Sequence, residues 1–306
     1  MTTLRPQLPM GMADFDRRGF RLDRPGPRAH LERHARSFLQ GYNVAAARWA
    51  RVHEGLAELP QEEQGFAHEG AAMYAGQRDV LTGGRAGAVT ALLGGTGERY
   101  THLIHVGMGW ALSPLRLPLP VRLPDTPLLR WLALDGAGFA DVFFGGGRAL
   151  ARRAERAGTD PRRLARLGGS GRAMWFLTAA DPVQINEIIQ HAPATARPAL
   201  WSGVGLAAGY AGGVDATELD TLRGVAGRYA PHLAQGTVFA ATARVRSGTV
   251  PAHTALACER LAETVPATAT GWADEVAREL GGRADVEAYL EWKDRVRLRV
   301  TASVTG

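Results

Sequence analysis

The stretch FLQGYNVAAARWARVHEGL, Phe38 to Leu56, decides the fold class. Phe38, Tyr42, Ala45, Trp49, Val52 and Leu56 recur three or four residues apart, a spacing that gathers side chains on one face of a long helix. Leu219, Leu222, Ala226, Tyr229 and Leu233 repeat the pattern in the second half. Glycine and proline clusters at Pro25 to Pro27, Pro118 to Pro127, Gly145 to Gly147 and Gly168 to Gly171 punctuate such segments. Alternation suited to strands is rare. RVRLRV, Arg295 to Val300, is its best case, with Val296, Leu298 and Val300 on one side. The expectation is a mainly α fold with few short strands.

Outward from that stretch, the two halves resemble each other. RSFL at Arg36 and RAMW at Arg172 are 136 positions apart, as are AAMYAG at Ala71 and AAGYAG at Ala207. GMGWA at Gly107 and GTVFA at Gly236 match again at an offset of 129. Matches at a shared offset predict an internally duplicated helical domain. Its halves, residues 1–136 and 137–306, would pack as one unit about a pseudo-twofold axis.

A hydrophobic content of 45% with 22% charged residues in 306 residues is that of a globular chain with length enough for a real core. The longest uncharged run, Pro198 to Val214, is short and rich in Gly and Ala, which excludes a membrane span. Arg5, Asp14, Asp16, Arg17 and Arg18 interrupt any secretory leader, so a soluble cytoplasmic protein is expected. The lone Cys258 rules out an intrachain disulfide. The net charge of +6 comes from arginine, Lys293 being the only lysine. Arg148, Arg152, Arg153, Arg156, Arg162, Arg163, Arg166 and Arg172 crowd one segment, which reads either as a solvated face or as a dock for an acidic partner such as an acyl carrier protein. No aromatic residues interleave them, so nucleic acid is not an expected partner.

Within GFAHEGAAMYAG, Gly65 to Gly76, His68 and Glu69 stand side by side among small apolar residues. On a helix they diverge by roughly 100°, so they do not share one target. The aligned positions in the second half are Val204 and Gly205, which shows that the scaffold does not need the pair. Glu69 reads as a proton-transfer group if burial raises its pKa, with His68 beside it; the alternative is a half-exposed pair at a helix start. HLIHVGMGWA places His102 and His105 on one helix side, as proton carriers or as satisfied structural histidines. A metal would need Glu69 as a third ligand, and no HExxH, CxxC or Asp-rich loop supports one. WLALDGAGF is expected to end a helix at Asp135, with Gly136 supplying the turn; Asp135 is then a cap or an acid. FFGGGRALARR and GGSGR put glycines where helices could start and bind phosphate, but neither matches a nucleotide fingerprint, and no cofactor is expected. Ser202 lacks a nucleophile elbow. Trp110, Trp175, Trp201 and Phe239 are candidates for the wall of an apolar cavity.

RRGF, LERHARSFLQGYN, GFAHEGAAM, HLIHVGMGWAL, RWLALDGAGF, LWSGVGLAAGYAGG, LAQGTVFAATAR and VPAHTALAC, in this order, resemble the domain-of-unknown-function 1702 family (DUF1702), known as enediyne biosynthesis proteins of the UnbL type. The resemblance runs from Arg17 to about Cys258. It implies a protein that accompanies an enediyne polyketide synthase and acts on a conjugated polyene. It directs attention to Glu69 and Gly70, to His105, Gly107 and Trp110, to Asp135 and Gly136, and to Trp201 and Ser202. His68 stands where family members often carry tyrosine, which leaves Glu69 the stronger candidate. The expectation is therefore an isomerase or cyclase in which Glu69, His105 and Asp135, with His68 and His102, move protons on a long unsaturated chain. Trp110, Trp201, Ser202, Phe66 and Tyr42 would hold that chain. The rival is a carrier that sequesters a reactive polyene or an isoprenoid intermediate without chemistry, and docking onto a carrier protein or the synthase is the expected partnership.

Overall fold

The amphipathic stretch forms a helix over Pro25–Arg48 and then breaks. Arg48 leaves helical backbone (φ −131°, ψ 42°), one 3-10 turn spans Trp49–Arg51, and a short helix, Val52–Ala57, resumes. Phe38, Tyr42, Ala45, Val52 and Leu56 are buried as the spacing predicts, while Trp49 stays half-buried at the break. The second amphipathic stretch is likewise broken, by Gly227 at φ 50°.

The computed structural model describes residues 7–113 and 126–305, so Arg5 and most of the Pro118 to Pro127 cluster lie outside it. Among the described residues there is no strand. We label the helices of ten residues or more α1 (Pro25–Arg48), α2 (Gln64–Leu81), α3 (Thr101–Leu112), α4 (Leu132–Arg156), α5 (Pro161–Leu177), α6 (Pro182–His191), α7 (Arg197–Ala211), α8 (Ala216–Ala226), α9 (Ala230–Ser247), α10 (Ala252–Ala262), α11 (Pro266–Glu279) and α12 (Val286–Thr305). The expected short strands are absent: RVRLRV lies inside α12. Val296 and Val300, four apart, are buried with Tyr289 and Trp292, whereas Leu298 is 53% exposed, so the period is helical and not two.

Seven helices form a serial array in the order α1, α2, α3, α4, α5, α7, α9, each packed on the one before. Paired glycines set its spacing. Gly107 and Gly109 of α3, Gly136 and Gly138 of α4, Gly169 and Gly171 of α5, and Gly203 and Gly205 of α7 all sit where a Cβ would run into a neighbouring backbone carbonyl. The first glycine of each pair faces the preceding helix and the second the following one, because two residues on a helix turn through about 200°. Gly70 of α2 and Gly236 of α9 continue the contacts at either end. The midpoint at residues 136 and 137 falls inside α4, between the glycines that meet α3 and α5.

The array curls back on itself. Phe66 of α2 packs edge-on against Tyr210 of α7 at 5.2 Å, His30 of α1 bonds the Ala211 carbonyl at 2.7 Å, and Arg244 of α9 donates to the Glu62 carbonyl at 2.8 Å. α10, α11 and α12 close over the far side of α9 with a second apolar core. Among the described residues no helix is long and apolar enough to cross a membrane.

Candidate functional site

The glycine contacts bring the interior's polar groups together. Glu69 precedes Gly70, Trp110 follows Gly109, Asp135 precedes Gly136, and Arg172 follows Gly171, so four successive helices of the array each place one side chain beside a close approach. Trp110 Nε1 donates to Glu69 Oε1 at 2.9 Å. Arg172 Nη2 stands 3.9 Å from the same oxygen, and its Nε is 2.7 Å from Asp135 Oδ1. The guanidinium also lies over the Phe139 ring, 4.9 Å from its centre. All four side chains are buried.

This cluster lies between two chambers, each partly open to solvent. The first has a volume of about 710 Å³, counting its part open to solvent, and its wall is mainly Phe38, Met73, Phe139, Phe143, Phe176 and Leu206. Its few polar wall groups include Glu69, Trp110, Arg172 and Tyr210. The second, of about 620 Å³, is lined by His102, Asp135, Ser202, Tyr289, Trp292 and Lys293 among others. Arg172, Leu206 and Tyr210 belong to both walls.

Burial pushes the Glu69 carboxyl up from its ordinary range, against the opposing pull of Arg172 and of the Trp110 N–H, with Asp135 adding to the rise. Burial likewise drives the Tyr210 hydroxyl up to about 12. Tyr210 Oη and Arg172 Nη2 have no hydrogen-bond partner among the described residues, so the interior offers unspent donors beside an acid that favours its neutral form.

The structure gathers Glu69, Trp110 and Phe66 on the first chamber's wall, and Asp135, His102 and Ser202 on the second's. It separates the others from them. His68 turns away from Glu69: its Nδ1 bonds the Gln64 carbonyl at 2.7 Å and its ring stacks on Tyr100 at 3.9 Å. Both members of the pair are buried, at 2% and 4% exposure, so neither is a half-exposed surface group. His105 is fully buried in helix packing, with its pKa lowered to about 4 by burial and by Arg130. His102 is lowered to about 3 by burial, then by Arg246 and His105. Among the described residues no three His, Cys, Asp or Glu side chains are grouped to hold a metal. Trp201 is fully buried, and Tyr42 spends its hydroxyl on Gln77 at 2.7 Å; neither is on a chamber wall. Asp135 and Gly136 do not end a helix. They lie in the first turn of α4, where Gly136 serves contact with α3 and not a turn. GGSGR lies within α5, its backbone N–H groups spent in the helix, whereas Gly146 (φ 61°, ψ −158°) breaks α4 into two helical segments, so a helix does start after the glycines of FFGGGRALARR.

Arg172, Tyr210 and Lys293 are site groups that sequence reasoning missed. Arg172 lies in a segment of mainly surface arginines, of which Arg148, Arg152, Arg156, Arg162 and Arg163 are exposed, while Arg153 and Arg166 bind Asp141. The usable signals were the small residues around Arg172 in GGSGRAMW and the solitary status of Lys293.

The family model described as protein of unknown function (DUF1702) matches residues 3–300, and the chain belongs to that family. No curated protein and no solved structure matches the chain.

Proposed function

We propose that this DUF1702 member is an enzyme that rearranges a long unsaturated apolar chain by proton transfer from Glu69. One observation carries the reading: a single carboxyl, fixed by an indole N–H at 2.9 Å, lines a chamber whose other walls are mainly aromatic and aliphatic. Burial favours its neutral form, which makes it a proton donor nearer neutral pH than an ordinary glutamic acid. Transfer of that proton to one end of a conjugated polyene forms a C–H bond and leaves a delocalised cation. Aromatic rings on the chamber wall, Phe38 and Phe143 among them, stabilise such a cation through their quadrupoles. The Glu69 carboxylate left behind is stabilised by Trp110 and Arg172, while Asp135 positions Arg172. Return of a proton from another carbon to Glu69 re-forms a double bond and completes an isomerisation. Attack of a neighbouring double bond on the cation before that return gives a cyclisation.

The sequence resemblance supports an enediyne-type polyene precursor as substrate, made by a polyketide synthase in the cytoplasm. We assign docking of its acidic carrier protein to the exposed arginines between Arg148 and Arg163, and expect that complex to weaken steeply with added salt.

Incubation with a linear conjugated polyene, followed by ultraviolet spectroscopy and native mass spectrometry, tests the reading. Conversion by the natural protein, with binding but no conversion in Glu69→Gln, supports it. Stoichiometric binding with an unchanged spectrum in both proteins would replace the enzyme with a carrier.

A further inference from the structure

The second chamber adjoins a groove on the surface. That groove, about 770 Å³ with its open part, runs between α7, α9 and α12 and shares Ser202 and Lys293 with the chamber behind it. First chamber, second chamber and groove thus form a series in which each neighbouring pair shares wall residues.

The groove wall holds polar groups without partners. Ser202 Oγ donates to Gln235 Oε1 at 2.8 Å, which leaves Gln235 Nε2 buried and without a partner among the described residues. His232 Nδ1 is also buried without one. Lys293 makes no ion pair with any described carboxylate. Asp135, its neighbour across Gly168, is held by Arg172, and Asp294, on the groove wall, is bonded by Arg297 Nε at 3.0 Å. The chain's only lysine therefore sits half-buried where groove and chamber meet, its ammonium 5.7 Å from the centre of the Tyr289 ring and its charge opposed by burial against the pull of Asp135, with the Gln235 amide on the same groove wall. Charged groups left in such a place without a partner are costly unless a ligand completes them.

We propose that Lys293, with Gln235 and His232, binds the carboxylate of a long-chain unsaturated acid, taken after its release from the carrier protein, whose tail passes Arg172 into the first chamber. The inference rests on the proposed function and names its substrate class. A single ammonium with one amide N–H suits a singly charged head. The consequence is positional: Lys293 lines the second chamber and Glu69 the first, so Glu69 protonates the chain beyond the shared wall at Arg172 and not at its carboxylate end.

The test uses parinaric acid, a fluorescent conjugated polyene acid, and its methyl ester, titrated into the full chain. The acid should bind about tenfold more tightly than the ester, the effect of one charge-assisted contact. Lys293→Met should abolish that preference by weakening the acid alone. Equal binding of acid and ester to the natural protein overturns the head site but leaves the apolar chamber standing. Binding of neither removes the chamber reading as well. An acid preference that survives Lys293→Met but is lost in Arg18→Met, at the aromatic rim beside Phe143 and Phe144, would place the head at the opposite mouth and overturn the assignment.

Discussion

Glu69 is a carboxyl whose environment opposes its charge more than its partners support it. Its folded-state pKa is raised by burial, so the folded protein holds this proton more tightly than the unfolded chain does. The resulting stability is present at pH below the unfolded value of about 4.3 and is lost as pH rises through the folded one. Glu69→Gln keeps an acceptor for Trp110 and removes the titration. The variant should therefore gain thermal stability relative to the natural protein as pH rises from about 4 to about 8. A melting-temperature difference that stays constant with pH would show that Glu69 titrates as an exposed glutamate. The same argument predicts that conversion falls as pH rises through the pKa of Glu69, since the acid is the active form. Arg172 makes the complementary case. Removing it in Arg172→Met leaves Asp135 buried without its cation, a loss of about 3–5 kcal/mol in urea denaturation. Adding Asp135→Asn to that variant should recover a large part, because the cost lies in the stranded charge and not in the missing pair.

At the scale of elements, the glycines decide where helices meet. Within a helix an alanine ordinarily stabilises over glycine by about 1 kcal/mol. Gly271, inside α11 with open space around its missing Cβ, should follow that rule, and Gly271→Ala should raise stability by about that amount. Gly109→Ala should do the reverse, since its Cβ would strike the Ala133 carbonyl, and backbone on both sides must separate. A loss of about 1–3 kcal/mol is expected, with weaker Trp110 to Glu69 coupling visible as a shifted pH profile. Paired glycines that tolerate alanine as Gly271 does would mean that the array is not spaced by them. This logic was partly legible in the sequence. GMG, GAG, GSG and GVG stand in plain view, and helical periodicity identifies α1 and α8. What spacing along one chain does not reveal is which carbonyl each glycine faces, and hence that Arg172 points inward while Arg163 nearby is exposed. The divergence of His68 and Glu69 is legible in the sequence, whereas their separate targets, Tyr100 and the chamber, are not. RVRLRV misled because alternating arginine imitates a strand's polar face, and only the burial of Trp292 one turn earlier resolves the period.

For the whole molecule, burial of histidines couples folding to pH. His68, His105, His232 and His253 are lowered to about 4 and His102 to about 3, in each case first by burial. In the unfolded chain each would titrate near 6.5, so between about 6.5 and 4 the unfolded state binds more protons than the folded one. Stability therefore falls as pH falls through that window, and levels off for each group once its folded pKa is passed. Glu63, buried yet held down to about 2 by its bond to His34 and by Arg33, extends the loss below the ordinary carboxylate range. The urea midpoint should drop steeply from neutral pH to pH of about 5, with a slope of several protons. His105 is the cleanest group on which to test this, being fully buried with neither ring nitrogen partnered among the described residues. His105→Leu should reduce the slope by about one proton, or about 1.4 kcal/mol per pH unit in that window, and should leave stability above neutral pH equal or higher. An unchanged slope would mean that His105 is charged in the folded protein and has found a partner for that charge. It would then rejoin the candidates for proton transfer, from which its position in the helix packing now removes it.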